Sequence, residues 1–165
     1  MRSRKIRMIL NIVLVSVGVV VLAVVVMFAF LSATSRRPAN LGVTDGRLLP
    51  CPSSPNCVCS QDDDAGHHTE PIHYTGTDPV GKLARAVGSL PGGKVISSNE
   101  NYLYAEFTSL IFRFVDDVEF QVDPQNKLIH CRSASRAGHS DLGVNRKRIE
   151  AIRKSFAELD SAPAG

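Results

Sequence analysis

The sequence predicts an α+β domain: an antiparallel sheet packed on one face by two helices, preceded by one N-terminal transmembrane helix. Three observations predict it. The run from Met8 to Ala33 is apolar and carries no formal charge. Between Lys94 and Arg136, consecutive segments alternate apolar and polar residues in the manner of half-buried strands. Helical spacing of apolar residues flanks that block on both sides, which places helices and strands in runs around one sheet.

Residues 8–33 read as a membrane anchor. At about 1.5 Å per residue the stretch crosses a hydrocarbon core of about 30 Å. Its many valines are weak helix formers in water, but in lipid a helix is the one single segment that satisfies its own backbone. Arg2, Arg4, Lys5 and Arg7 precede it, and Arg36 and Arg37 follow it. The larger basic cluster stays in the cytoplasm, so residues 1–7 are expected to be a cytoplasmic tail and the rest to lie outside the cell (inner) membrane. A cleaved signal peptide is the competing reading. Its apolar core would be shorter, roughly 7–15 residues, and Leu31 stands where a small residue is expected two positions before Ala33.

Residues 34–50, TSRRPANLGVTDGRLLP, mix Pro, Gly and polar residues without a period and read as a linker. The cysteine-rich stretch CPSSPNCVCS follows, holding Cys51, Cys57 and Cys59, while Cys131 is remote. An exported domain permits disulfides, and either Cys51–Cys57 or Cys51–Cys59 would pin the start of the fold. His67, His68 and His73 lie nearby, but the C-x5-C-x-C spacing fits no common zinc pattern, so no metal site is expected. Asp62, Asp63 and Asp64 read as a solvated loop.

The next elements follow in order. Ile72 to Gly76 is a short strand. Asp78 caps a helix that has Pro79 at its first position, with Val80, Leu83, Ala84, Val87 and Leu90 on one face; Gly92 and Gly93 end it. Strands follow at 94–98 and 102–109. In the second, Leu103, Ala105 and Phe107 face one way, and Tyr102, Tyr104 and Glu106 the other. IFRFV, residues 111–115, continues the strand signal. In 117–123, Val118, Phe120 and Val122 face in while Glu119 and Gln121 face out. Asp123 to Asn126 is a turn, and 127–136 is the last strand. The final helix is expected to begin near Ser140 or Asp141, with Leu142, Ile149, Ile152, Phe156 and Leu159 as its apolar stripe and Asn145 on that same stripe. Residues 161–165 are a tail.

Charge is divided within the chain. Residues 38–131 carry 6 basic and 12 acidic groups, and residues 132–154 carry 7 basic and 2 acidic groups. The two parts neutralise each other in one fold, which argues against a nucleic-acid partner. The basic excess sits in RSASRAGHSDLGVNRKR, Arg132 to Arg148. A strand delivers Arg132 and Arg136 into a turn containing Gly138, and the turn opens a helix whose first N–H groups are unpaired. Arginines beside such an end can hold a carboxylate, phosphate or sulfate. The candidate site is Arg132, Arg136, Asp141, Asn145 and Arg146, with Arg113 and Asp116 from neighbouring strands. The competing reading is internal: Asp116, Asp117, Glu106 and Glu119 pair with the arginines, and Asn145 bonds the turn.

Three motifs carry a resemblance: CPSSPNCV with the following Ser60-Gln61, FTSLIFRFVDDVEF over 107–120, and RSASRAGHSDLGVNRKRIE over 132–150. The chain resembles the DUF1499 family of small exported or membrane-anchored domains, and the likeness spans most of 48–159. It implies a domain over 51–160 with no established activity. It also implies Cys51–Cys57 as the disulfide, because Cys59 and Cys131 depart from the family pattern.

Catalytic motifs are missing: there is no GxSxG, P-loop, GxGxxG or C-x-x-C. His139, Ser140 and Asp141 are adjacent and cannot converge as a relay. The sequence therefore points to a membrane-anchored, extracytoplasmic binding or interaction domain without a cofactor. Its partner would be a small anionic ligand or a membrane-complex protein. An enzyme acting on an anionic envelope metabolite, or a structural accessory of a membrane complex, are the alternatives.

Overall fold

The computed structural model describes residues 2–162. The chain forms two compact units, one up to Thr34 and one from Ser35 onward. The first is a single helix, α1 (Arg2–Thr34). Its stretch Arg4–Ser32 is long and apolar enough to cross a bilayer. The helix thus includes basic residues read above as a separate tail. Of the two tails, Met1 and residues 163–165 lie outside the described residues.

The second unit contains β1 (Val43–Thr44), β2 (Arg47–Leu48), β3 (Cys57–Cys59), β4 (Ile72–His73), α2 (Pro79–Gly88), β5 (Gly93–Ser98), β6 (Tyr102–Thr108), β7 (Val115–Asp123), β8 (Leu128–Ser135) and α3 (Val144–Ser161). The main sheet runs β3-β8-β7-β6-β5 with antiparallel neighbours, and β4 also pairs with β8. The fold is α+β, as the alternating strand block predicted.

Both helices use amphipathic faces to cover one side of this sheet. In α2 the buried residues are Leu83, Ala86 and Val87; in α3 they are Asn145, Ile149, Ile152 and Phe156. They meet Leu103, Ala105, Val118, Phe120, Ile129 and Cys131 from the strands. Burial of a side chain such as Phe156 or Phe120 contributes about 1.5–3 kcal/mol. Asp78 caps α2 by accepting from Gly81 N at 3.0 Å. A Cβ at Gly81 would lie 2.1 Å from the Asp78 carboxylate, so a larger residue there would displace this cap. Lys82 and Asp160, 2.8 Å apart, tie α2 to the end of α3.

The structure departs from the sequence reading at four places. The stretch taken as a linker is structured in part. Arg37 bonds Glu106, Gly42 N donates to Glu119, β1 and β2 form a small hairpin, and Leu48 is buried. No apolar period marks this segment because it lies on a polar surface. Glu119, read as facing out, is consequently fully buried beneath it. Of the expected strand at 111–115, all but Val115 is a loop: β6 stops at Thr108, Ser109 and Phe114 close its neck, and β7 starts at Val115. Apolar residues there mimic a strand but include Leu110 and Ile111, which are 91% and 79% exposed. Finally, α3 starts at Val144. Leu142 has φ 54° and is 87% exposed, so it is not on the buried stripe. Two backbone N–H groups, of Gly143 and Asn145, are instead taken by the Asp141 carboxylate at 2.9 and 2.7 Å.

Candidate functional site

Strand pairing sorts the site residues by face. The row Phe107, Asp116, Ser135 lies on the helix side, as does Ala105, Val118, Ser133. The rows Tyr104, Glu119, Arg132 and Glu106, Asp117, Ala134 lie on the opposite side. Cross-strand neighbours share a face and successive residues alternate, so Arg132 and Asp116 face opposite sides of the sheet. The arginine motif therefore forms two clusters rather than one.

On the side away from the helices, Arg136 lies along Asp117 with Nε at 3.1 and 3.0 Å from the two carboxylate oxygens. Its Nη2 also donates to Tyr104 Oη at 2.9 Å and to Glu106. Tyr104 donates to Asp117 Oδ1 at 2.6 Å, and Arg37 Nη2 closes the group 2.7 Å from Glu106 Oε1. Next to it, Arg132 reaches Glu119 Oε2 at 3.3 Å, and Tyr102 Oη donates to Glu119 Oε1 at 2.7 Å. Burial pushes the Glu106 carboxyl up, but hydrogen bonds from Arg136 and Arg37 outweigh it and hold it at about 2. The bonds to Asp117 first, and to Glu106, raise Arg136 further above its ordinary range. Burial, followed by hydrogen bonding to a carboxylate, pushes both Tyr102 and Tyr104 upward.

On the helix side, Asn145 is the hub. Its Nδ2 donates to Asn56 O and Ser135 Oγ, both at 2.9 Å, and its Oδ1 accepts from Ser133 Oγ at 2.6 Å. Arg148 donates to Asn145 and Ser133 and pairs with Asp116. Its guanidinium also sits 4.9 Å from the centre of the Phe107 ring. Asn56 Nδ2 bonds Gly138 O at 2.6 Å, which ties the cysteine-rich loop to the turn after β8. A fully buried amide must have partners, and here its two ends join α3 to β8 and to Asn56, the residue before β3.

The remaining candidates lie apart. Arg146 points to the 60–70 loop, donating to His68 O at 2.7 Å and Gly66 O at 3.0 Å. Arg113 sits in the β6–β7 loop at φ 57°. Asp141 caps α3 as described. The sequence reading missed Arg148 and Arg37. Arg148 is signalled by its position three residues after Asn145 on the same helical face. Arg37 had no such signal, because it belongs to the unpatterned segment.

The disulfide joins Cys51 and Cys57, while Cys59 and Cys131 are free and buried. Cys59 pairs with Arg132 across the strands, so Cys59 and Cys131 point to opposite faces. Burial pushes the Cys131 thiol up to about 12. His67 Nδ1 lies 3.0 Å from Cys57 O and His68 Nδ1 3.0 Å from Asp62 O. A carbonyl only accepts, so both nitrogens carry the proton and both rings brace the loop.

Beside the Asn145 hub lies an open groove of about 840 Å³. Leu90, Pro91, Phe107, Leu110, Val144 and Ala151 give it an apolar lining. Lys94, Arg113, Lys147 and Arg148 line it against the single acid Asp116. Gly92 shapes one wall: it has φ 78°, and a Cβ there would meet Thr108 O at 2.4 Å. Exposed lysines 94 and 147 make no ion pair among the described residues.

The family described as protein of unknown function DUF1499 matches residues 47–156. The chain belongs to the DUF1499 family. The match takes in the disulfide, both arginine clusters and the groove, and it begins after α1 and after the Arg37 and Gly42 contacts. No curated protein and no solved structure matches the chain.

Proposed function

We propose that this DUF1499 chain is a single-pass protein of the cell (inner) membrane with its N-terminus cytoplasmic. Its second unit is an extracytoplasmic interaction domain. Helix α1 supports the anchor, and the Cys51–Cys57 disulfide supports an oxidising compartment. The arginine-rich motif acts as an internal clasp. The contact surface is the groove between the β6–β7 loop and α3.

One observation carries this reading. Arg132, Arg136 and Arg148 are each paired with a carboxylate inside the fold, whereas the neighbouring groove is open and carries a basic excess. The side chains of these three arginines are 6%, 8% and 10% exposed, so each presents little surface to a ligand.

Native mass spectrometry of the full chain, released from membranes, tests it with two variants. Ala151→Trp fills the groove, and Arg132→Ala removes a clasp residue. A co-purifying mass lost in Ala151→Trp and kept in folded Arg132→Ala is expected. Loss only in Arg132→Ala would return the binding role to the arginines. Added protease that fails to cleave the domain in intact spheroplasts would overturn the topology.

A further inference from the structure

The loops at one end of the sheet present an apolar surface that the fold itself does not use. The β6–β7 loop is not slack. Ser109 N donates to Phe114 O at 2.8 Å and Phe114 N to Ser109 Oγ at 2.9 Å, closing its neck. The rings of Phe112 and Phe114 lie 6.0 Å apart within it. The tip residues Leu110 and Ile111 are held outward at 91% and 79% exposure. Leu142, 87% exposed, in the turn into α3, and Val144, 46% exposed, its first residue, follow β8 at the same end, because the start of β7 pairs with the end of β8. Leu110 and Val144 line the same groove, and exposed apolar residues with a basic rim mark a contact surface.

Two further facts identify what covers it. Arg148 is already paired with Asp116, and the groove's exposed Lys94 and Lys147 make no ion pair among the described residues, which suits an anionic surface. Arg37, near the start of this unit, is bonded to Glu106, close to where β6 ends at Thr108. A chain tethered in a bilayer meets that bilayer at high effective concentration.

We infer that this loop end docks on an anionic phospholipid surface, with Leu110 and Ile111 entering the interfacial layer and Lys94 and Lys147 facing lipid phosphates. The inference rests on the membrane-tethered reading above. Branched apolar tips give depth and a basic rim gives preference for anionic headgroups, the same division found in interfacial helices.

The test places an environment-sensitive fluorophore at Ile111→Cys in the full chain. The protein is reconstituted in phosphatidylcholine vesicles with or without phosphatidylglycerol. Glu100→Cys, in the exposed β5–β6 turn at the opposite end, is the reference position. A blue shift at 111, quenched by nitroxide-bearing acyl chains, is expected in the phosphatidylglycerol vesicles and absent at 100. The double variant K94E/K147E should lose most of that shift. Emission at 111 as water-like as at 100, in protein that resists carbonate extraction, would overturn the inference while leaving the tether intact; a protein partner for this surface would give that result. A shift of equal size without phosphatidylglycerol, untouched by K94E/K147E, would overturn the anionic headgroup assignment. Protein extracted by carbonate would remove the tether and the inference together.

Discussion

On the helix side of the sheet, one cross-strand row reads Leu103, Phe120, Cys131; on the other side the adjacent row reads Tyr104, Glu119, Arg132. The same strands bury both rows almost completely. The first needs only apolar cover, which α2 and α3 provide. The second has charged groups that must be matched one by one, by strand neighbours and by the segment from Arg37 to Leu48. Hydrophobic burial is non-directional and tolerates changes of shape, whereas a buried ion pair depends on both partners being present. Alternation along a strand thus does not by itself mean one dry face and one wet one.

The comparison breaks hardest on the apolar side. Phe156→Ala empties a fully buried position and should cost about 3–5 kcal/mol, measured by chemical unfolding of the full chain in detergent. Removing Arg136 leaves the buried Asp117 carboxylate with the Tyr104 hydroxyl as its partner and no cation, while Glu106 keeps Arg37. Arg136→Met should therefore cost up to about 3–5 kcal/mol although it is apolar and of similar length. A loss confined to the few tenths of an exposed substitution would show that the polar face is wet.

Acid sharpens the difference. The Glu106 carboxyl is held at about 2, below its ordinary 4.5, so the unfolded chain binds that proton more tightly than the folded one. The stabilisation is complete above about pH 4.5 and is lost as pH falls toward about 2. Glu106→Gln should flatten this part of the stability profile, whereas Phe156→Ala should lower it uniformly. At the small end, Arg37 is half exposed, and Arg37→Ala should cost no more than about 1 kcal/mol, shrinking further in salt.

This contrast also explains what the sequence made legible. The apolar face could be read from periodicity: the buried residues of α2 and α3 fall at helical spacing, and Leu103, Val118, Phe120 and Val122 at strand spacing. The pairing of arginines with Asp116, Asp117, Glu106 and Glu119 was available as chemistry, since buried charge demands a partner. Which acid meets which arginine was not, because register decides it: Arg132 lies opposite Glu119, and Asp117 opposite Ala134. Leu142 and IFRFV misled for a related reason. Exposed apolar residues at a loop end, such as Ile111 and Leu142, have the same local spacing as buried ones.

The central claim is that the arginine motif is an internal clasp, and a double-mutant cycle between Arg136 and Asp117 tests it most directly. The chain has three tyrosines and no tryptophan, so near-ultraviolet circular dichroism reports on Tyr102 and Tyr104 on the polar face and on buried Tyr74. Urea unfolding of Arg136→Met, Asp117→Asn and the double variant should give single losses that do not add, with a coupling of about 1–3 kcal/mol. Additive effects close to zero, in a domain that keeps its tyrosine signal, would contradict the clasp and leave Arg136 free to serve a ligand.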